Sequence, residues 1–529
     1  MNKTILVVGA GPVGLTLAAE LARHGAIVRI IDSRTERSPH CRAIGVTPRT
    51  LEVFEDMGVA REIVDAGLWI TGMRALLDGR PPADMVRDLS DLPYGGLGIP
   101  QYATEAILEA HLASYGVVVE RGVTFAGLQQ SEGEVLVSLE RPAGRTVANF
   151  SHVVGCDGAH SAVRKALDID FEGEAFPWDF MLGDVRIDWD LPRGFSLRAI
   201  KPAEGGPPDI FVAVPLPERG RYRVSMLAPE RLRAPGGTEH GIQSDRPGAT
   251  LADLQEVADR LIPDPPKLTG MRWSSIFRIS MRLAATYRVG NAFIAGDACH
   301  IHPPTGGQGM NTGIQDAYNL AWKLALVSRG RASDGLLDSY EAERRPVAMD
   351  VIERTTQASV NLGSEDTKTD QRLEDTQVLV AYTNGPLSIG PDGDDVVAGD
   401  RCPDAQGLRR SGFGFPLRLF DVLKGTNFVL LITAQAGDIG SIERLGENLR
   451  ERFGGVVRVV AILPAGTSVA DPFGITIIRD EAGDFAATLG GQEAEAWLVR
   501  PDGYVGLYMP SWSEGEVVSY LTRNVRLKT

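Results

Sequence analysis

Cysteine is scarce in this chain, and paired cysteine is missing. Cys41, Cys156, Cys299 and Cys402 are four cysteines in 529 residues, far apart and with no CxxC among them. That spacing offers no dithiol redox centre, no disulfide framework and no structural zinc site, and it suits a reducing cytoplasm. No metal is expected. Long apolar runs are also lacking, so no stretch is suited to span a bilayer. Lysine and arginine form no run to offset a formal net charge of −15, which argues against nucleic acid or an anionic membrane as partner. The seven tryptophans include no Trp-x-Trp, and there is no internal repeat.

What is present is a hydrophobic content of 43%, ample for the cores of about three domains. The opening ILVVGAGPVGLTLAAELA superficially resembles a secretory leader. Gly9 stops its apolar run, Pro12 interrupts its centre, and Glu20 and Arg23 follow at helical spacing, so a nucleotide-binding unit explains it better. Thr4–Val8 reads as a buried strand, Gly9–Gly14 as a tight turn, Val13–His24 as a helix and Ala26–Ile31 as a second strand ending at Asp32. In this βαβ pattern Gly9 permits the turn, Gly11 lets backbone approach a pyrophosphate and Gly14 lets helix and strand pack. Asp32 is placed to accept from a ribose hydroxyl, which favours an ADP-like nucleotide, as in FAD or NAD, over one carrying a 2′-phosphate.

A second glycine-rich stretch, Gly290–Ala317, combines a short strand at Asn291–Ala295, a Gly296-Asp297 turn, the stiff pair Pro303-Pro304, and Gly306, Gly307 and Gly309 ahead of a helix over Asn311–Ser328. Glycines let the main chain meet a flat ring without obstruction, and a helix N-terminus favours negative charge. Between these stretches, Pro48 starts a helix that stops at Gly58, and Gln101 precedes another at Thr104–Ser114. Val153–Arg164 reads as strand, Asp157-Gly158 turn and helix, where an acid capping the helix is the plain alternative to a ligand contact. Residues 171–288 alternate in the manner of strands, at Asp184–Trp189, Ile210–Pro215, Tyr222–Leu227 and Met271–Ile279, with one helix at Leu251–Ile262. Trp322 reads as core. A polar, Gly/Pro/Asp-rich segment at 361–390 reads as a linker before a last domain, 391–529, with its own strands and a final helix at Glu514–Arg523.

Three motifs in order, GAGPVG from Gly9, the Asp-Gly motif at Asp157 and GDACHIHPPTGGQGMNTGIQDAYNLAWKLA from Gly296, resemble the class A FAD-dependent aromatic hydroxylases, the family of p-hydroxybenzoate hydroxylase. With its extra C-terminal part the chain resembles the phenol hydroxylase type. Cys299 stands where alanine is commoner. The resemblance implies an α/β fold in which a Rossmann-like FAD-binding domain (1–170 and 289–360) carries an inserted substrate-binding sheet (171–288) and is followed by a thioredoxin-like domain without redox cysteines. It implies non-covalent FAD, with Gly9, Gly11, Gly14 and Asp32 at the ADP half and Arg42 and Gln101 at the pyrophosphate and ribityl region. Asp297 would bind the ribityl chain, Pro303 and Pro304 would face the isoalloxazine, and Gly307, Gly309, Met310 and Asn311 would meet its pyrimidine edge. Asp157 and Arg164 belong to a motif linked to both FAD and the nicotinamide cofactor.

The activity implied is hydroxylation of a phenolic or polycyclic aromatic with NADH or NADPH and O₂, through a flavin C4a-hydroperoxide. Tyr222, Arg223 and His240 are candidate lining groups, and no base is assigned. The resemblance also allows a homodimer. The missing Trp-x-Trp speaks against a flavin halogenase, whereas epoxidation, Baeyer–Villiger oxygenation and a non-catalytic flavin-binding role stay open.

Overall fold

The computed structural model describes residues 3–39, 43–131, 133–202, 208–233, 248–303, 307–360, 372–393, 395–470, 472–491 and 494–528. It divides into two compact units: residues 1–19, 28–317 and 346–377 form one, and residues 20–27, 318–345 and 378–529 the other.

In the first unit, the apolar run Ile5–Val8 is the centre of a six-stranded sheet. It pairs in parallel with Val28–Asp32 on one side and His152–Gly155 on the other, and Ala292–Ile294 continues the sheet in parallel beyond them. Ile5, Leu6 and Val7 are wholly buried, as expected of strands covered on both faces. Parallel pairing has one consequence for function. Gly9, Asp32, Asp157 and Gly296 all follow the carboxyl ends of adjacent strands, the edge at which open α/β sheets bind ligands. The strand expected at Ala26–Ile31 begins at Val28.

An eight-stranded sheet occupies the same unit. Its two long strands, Phe171–Ile187 and Leu268–Ala284, pair antiparallel, with register shifts at Ala175/Asp179 and Asp184/Arg186. Arg221–Leu227, Asp209–Pro215 and Phe195–Lys201 follow in order. Strands from outside 171–288 complete it: Gly72–Leu77 runs parallel to Phe195–Lys201, Ala83–Val86 closes that edge, and His300–Ile301 pairs with Leu268–Ala284 at the other. One face is covered by the helix Leu251–Leu261, which Thr250 and Asp253 start with a reciprocal capping box. Leu254 and Val257 pack there on Met181, Val185, Phe211, Val224 and Met226. The close approach needs Gly183, where an added Cβ would lie 2.5 Å from Leu254.

The second unit has a β–α–β start, with Phe428–Thr433 and Val457–Pro464 parallel around the helix Ile439–Phe453. Ala496–Val499 then returns antiparallel to Phe428–Thr433 and turns into Val505–Met509, before the helix Glu514–Ser519. This is a thioredoxin-like order. The loop ahead of its first helix reads Ala434-Gln435-Ala436-Gly437-Asp438, with no thiol, and Cys402 is buried elsewhere in the unit. Trp322 is core, as expected from its sequence: it is 1% exposed, and its indole N–H donates to Asp502 Oδ2 at 3.1 Å. No described helix is long and apolar enough to cross a membrane.

Candidate active site

The glycines of the first turn divide into closed and open positions. A Cβ on Gly9, whose φ is +102°, would lie 2.4 Å from the Cys156 carbonyl oxygen, and one on Gly14 would run into the carbonyl of Gly9. Both are fixed by packing. At Gly11, half-buried, an added Cβ would meet nothing within 4 Å, so its backbone faces room for a ligand. Asp32, 5% exposed, accepts from Ala10 N at 2.8 Å through Oδ2 and from Arg34 N at 2.9 Å and Arg34 Nε at 3.3 Å through Oδ1. A carboxylate accepts about four hydrogen bonds, so Oδ2 retains capacity for one more. Arg34 was not singled out in the sequence; its adjacency to the acid was the only signal.

Gln101 opens the helix Gln101–Ser114. Its Oε1 accepts from Ala43 N at 3.0 Å and its Nε2 donates to Glu105 at 2.8 Å. Burial pushes the Glu105 carboxyl up. Arg42, Pro304, Gly306 and His240 lie outside the described residues.

Asp157 takes the role of the plain alternative. Its Oδ1 accepts from Ser161 Oγ at 2.5 Å, and its Oδ2 from Ala162 N at 2.7 Å and Val163 N at 3.1 Å, so the carboxylate is largely committed to starting the helix Ala162–Ala166. That helix delivers Arg164, which donates to the carbonyls of Ala159 at 2.9 Å and Ala298 at 3.0 Å and lies 3.8 Å over the Phe171 ring. The second and third motifs are thereby joined.

Asp297, half-buried, sits in the short turn Gly296–Ala298. The turn is held from behind by Asp316, a fully buried acid on the helix Gln308–Ser328 that accepts from Gly296 N at 3.1 Å and pairs with His300 Nε2 at 2.7 Å. Sequence reading missed Asp316, although the single acid of the helix Gln308–Ser328 was a usable signal. Gly313 belongs to the same brace, since a Cβ there would lie 2.7 Å from Val13 and 3.0 Å from Gly296 Cα.

Pro303 is buried, Gly307 exposed with open space before it, and Gly309 and Met310 half-buried. The first four N–H groups of the helix that follows have no intrahelical acceptor. Asn311 is wholly buried and fully used: Oδ1 accepts from Thr47 N, while Nδ2 donates to the carbonyls of Gly45 at 3.0 Å and Gly307 at 2.8 Å. His302 Nε2 is buried without a hydrogen-bond partner, 3.5 Å from where a Cβ on Gly309 would lie. Burial, then the neighbouring His300, lowers its pKa to about 4, so the ring is neutral at pH 7. A ring system with polar edges fits this set of open glycine backbone, spare acceptor at Asp32 and orphaned ring nitrogen.

The face of the eight-stranded sheet opposite the helix Leu251–Leu261 is set out by its register. One row crosses Ile200, Ile210, Leu227, Phe180 and Phe277. The next crosses Arg198, Val212, Ser225, Leu182 and Ser275, and a third crosses Val214, Arg223, Asp184 and Trp273. Phe180 and Phe277 are 5.9 Å apart, and Trp178 packs with them. Arg223 pairs with Asp184 at 2.6 Å and lies 5.0 Å over Trp273. Tyr222 instead faces the helix side as core, its ring edge-on to Trp189 at 5.1 Å.

Comparison with known proteins gives the family. The FAD binding domain family matches residues 2–355. A flavin-dependent monooxygenase from Mycobacteroides abscessus is 34% identical over 99% of this chain and 100% of its own. A pentachlorophenol 4-monooxygenase from Sphingobium chlorophenolicum is 31% identical over 95% of this chain and 93% of its own. The structure of an anhydrotetracycline hydroxylase from Streptomyces rimosus superposes with a TM-score of 0.74 at 27% identity, covering 99% of both chains. The chain belongs to the FAD-binding-domain family of flavin-dependent aromatic monooxygenases.

Proposed function

We propose that this enzyme hydroxylates a phenolic or polycyclic aromatic compound, with NADH or NADPH as reductant and O₂ as the source of the oxygen atom. The observation that carries the reading is the aromatic row Phe180, Phe277 and Trp178 on a sheet face in the same compact unit as the glycine loop. FAD, when bound, supplies the electron transfer and oxygen chemistry, which no side chain can provide.

In this reading Gly9, Gly11, Gly14 and Asp32 hold the ADP part, and Arg42 and Gln101 hold the pyrophosphate and ribityl region. Asp297 accepts from the ribityl chain. Pro303 and Pro304 face the ring system, and backbone at Gly307, Gly309, Met310 and Asn311 donates to its pyrimidine edge, where the helix N-terminus favours developing negative charge. Asp157 serves at one remove, fixing the helix from which Arg164 bonds the Ala298 carbonyl beside Asp297. The aromatic row orients a flat substrate and excludes water from it. The test is a panel of phenols and polycyclic aromatics, read as stimulated NAD(P)H oxidation with mass analysis of product. An FAD-loaded enzyme that no aromatic stimulates contradicts the reading.

A further inference from the structure

The sheet face with the aromatic row also holds an uncompensated cation. Arg198 stands in the strand Phe195–Lys201, in register with Ala75, Val212 and, one strand further, Ser225. Its Nε is buried with no hydrogen-bond partner, and no carboxylate lies within ion-pair distance among the described residues. Other arginines of this sheet each have at least one partner, although Nε of Arg221 and of Arg282 is also left over: Arg223 pairs with Asp184, Arg278 with Asp179 at 2.8 Å, Arg221 donates to the Gly270 carbonyl, and Arg282 donates to the Phe171 carbonyl at 2.9 Å. Burial holds the Arg198 guanidinium below the ordinary arginine range, and Asp375 only partly opposes this. The group nonetheless stays protonated in proteins, so the fold keeps a half-buried positive charge with an unsatisfied Nε that an anion would complete.

Its position indicates where that anion comes from. Asp375, the carboxylate that Arg198 senses, accepts from Gln308 Nε2 through its carbonyl at 3.2 Å and through Oδ1 at 3.4 Å. Gln308 is the first residue of the helix that follows the glycine loop. Arg198 shares its sheet face with the apolar neighbours Val212, Ile200 and Ile210. A guanidinium in such surroundings presents a planar fork matched to a carboxylate or to a phenolate or enolate oxygen.

We propose that Arg198 is a specificity-determining residue that selects aromatic substrates carrying an anionic oxygen group. The inference rests on the aromatic-substrate reading above. It is tested by measuring equilibrium binding of naphthoate, naphthol and methoxynaphthalene to the FAD-loaded wild type, Arg198→Met and Arg198→Lys, with melting temperature recorded for each. The wild type should bind naphthoate, or naphthol as it ionises with rising pH, more tightly than methoxynaphthalene; the two arms tell a carboxylate from a phenolate. Arg198→Met should weaken the preferred oxyanion probe by about tenfold or more, as expected for a lost charge-assisted hydrogen bond, and leave methoxynaphthalene within about twofold. Arg198→Lys should recover part of the loss. Removing an unpaired, half-buried cation should leave the melting temperature unchanged or raise it by about 1–3 °C.

Equal weakening of all three probes, no change in any, no preference of the wild type for an oxyanion, or a melting temperature lowered by more than about 3 °C overturns the assignment. Failure of the hydroxylase reading is seen separately, as an FAD-loaded wild type whose NAD(P)H oxidation responds to no aromatic in the wider panel.

Discussion

Asn311 Oδ1 accepts a hydrogen bond from Thr47 N at 3.1 Å, across 264 positions of sequence. The first turn of the helix after the glycine loop is thereby pinned to the segment leading into the helix Pro48–Met57, which Thr47 itself caps. Asn311→Ala takes the side-chain partner from a buried donor at Thr47 and from a half-buried acceptor at Gly45. The expected cost is about 1–3 kcal/mol of stability, with weaker FAD retention, read by thermal unfolding with and without FAD. A variant that unfolds as wild type and keeps its flavin would show that the pin is dispensable.

Asp32→Ala removes the acceptor of Ala10 N and Arg34 N as well as the proposed ribose contact. FAD retention should weaken by about 1–3 kcal/mol, measured as the dissociation constant from flavin fluorescence. Unchanged affinity would place the ribose elsewhere.

The second unit carries a wholly buried ionic cluster. Glu343 accepts from Lys323 Nζ at 2.7 Å and from Arg500 at 2.6 and 2.9 Å, and Arg500 also pairs with Asp502. Burial alone would raise the Glu343 carboxyl, but Arg500 and Lys323 outweigh it and hold its pKa at about 2, against 4.5 ordinarily. A folded pKa below the unfolded one gives stability that is complete above the unfolded value and lost as pH falls through the folded value. That contribution should therefore fade between about pH 4.5 and pH 2. Glu343→Ala leaves Lys323 without its carboxylate and Arg500 with Asp502 alone, and should cost about 3–5 kcal/mol at pH 7. A melting temperature at pH 7 within about 1 °C of wild type would contradict this assignment.

Much of this architecture was legible because glycine records backbone requirements directly. Gly9 and Gly14 could be assigned from spacing since each close approach admits no side chain, and the parallel sheet then puts Asp32 beside them. The helix Pro48–Met57 and its stop at Gly58, which has φ +87°, followed from proline and glycine alone. Other features were not local properties. Gly72–Leu77 pairs with Phe195–Lys201, more than a hundred residues away, and nothing in either segment encodes the partner. Asp157 reads identically as a cap or a ligand until its three donors are located. Arg198 resembled any surface arginine on a strand, and only register and burial set it apart. The final helix expected over Glu514–Arg523 changes at Tyr520 into a wider turn reaching Asn524, where Tyr520 OH bonds the Leu387 carbonyl.

Cys402 is buried, and its thiol faces the Pro403 carbonyl at 3.7 Å. With no second thiol in the loop ahead of Ile439–Phe453, the thioredoxin-like unit should not relay electrons. Cys402→Ser should leave turnover within about twofold, because the serine hydroxyl can keep the same acceptor. A specific loss of flavin reduction, with folding intact, would show a redox role.

The most direct measurement is turnover under isotopically labelled dioxygen, with the true aromatic substrate and NAD(P)H, followed by mass analysis of the product. The account predicts one labelled oxygen atom in the product, as a new hydroxyl, and NAD(P)H oxidation accelerated by about tenfold or more when the aromatic is present, equivalent to roughly 1.4 kcal/mol of barrier. Product oxygen derived from water would contradict it.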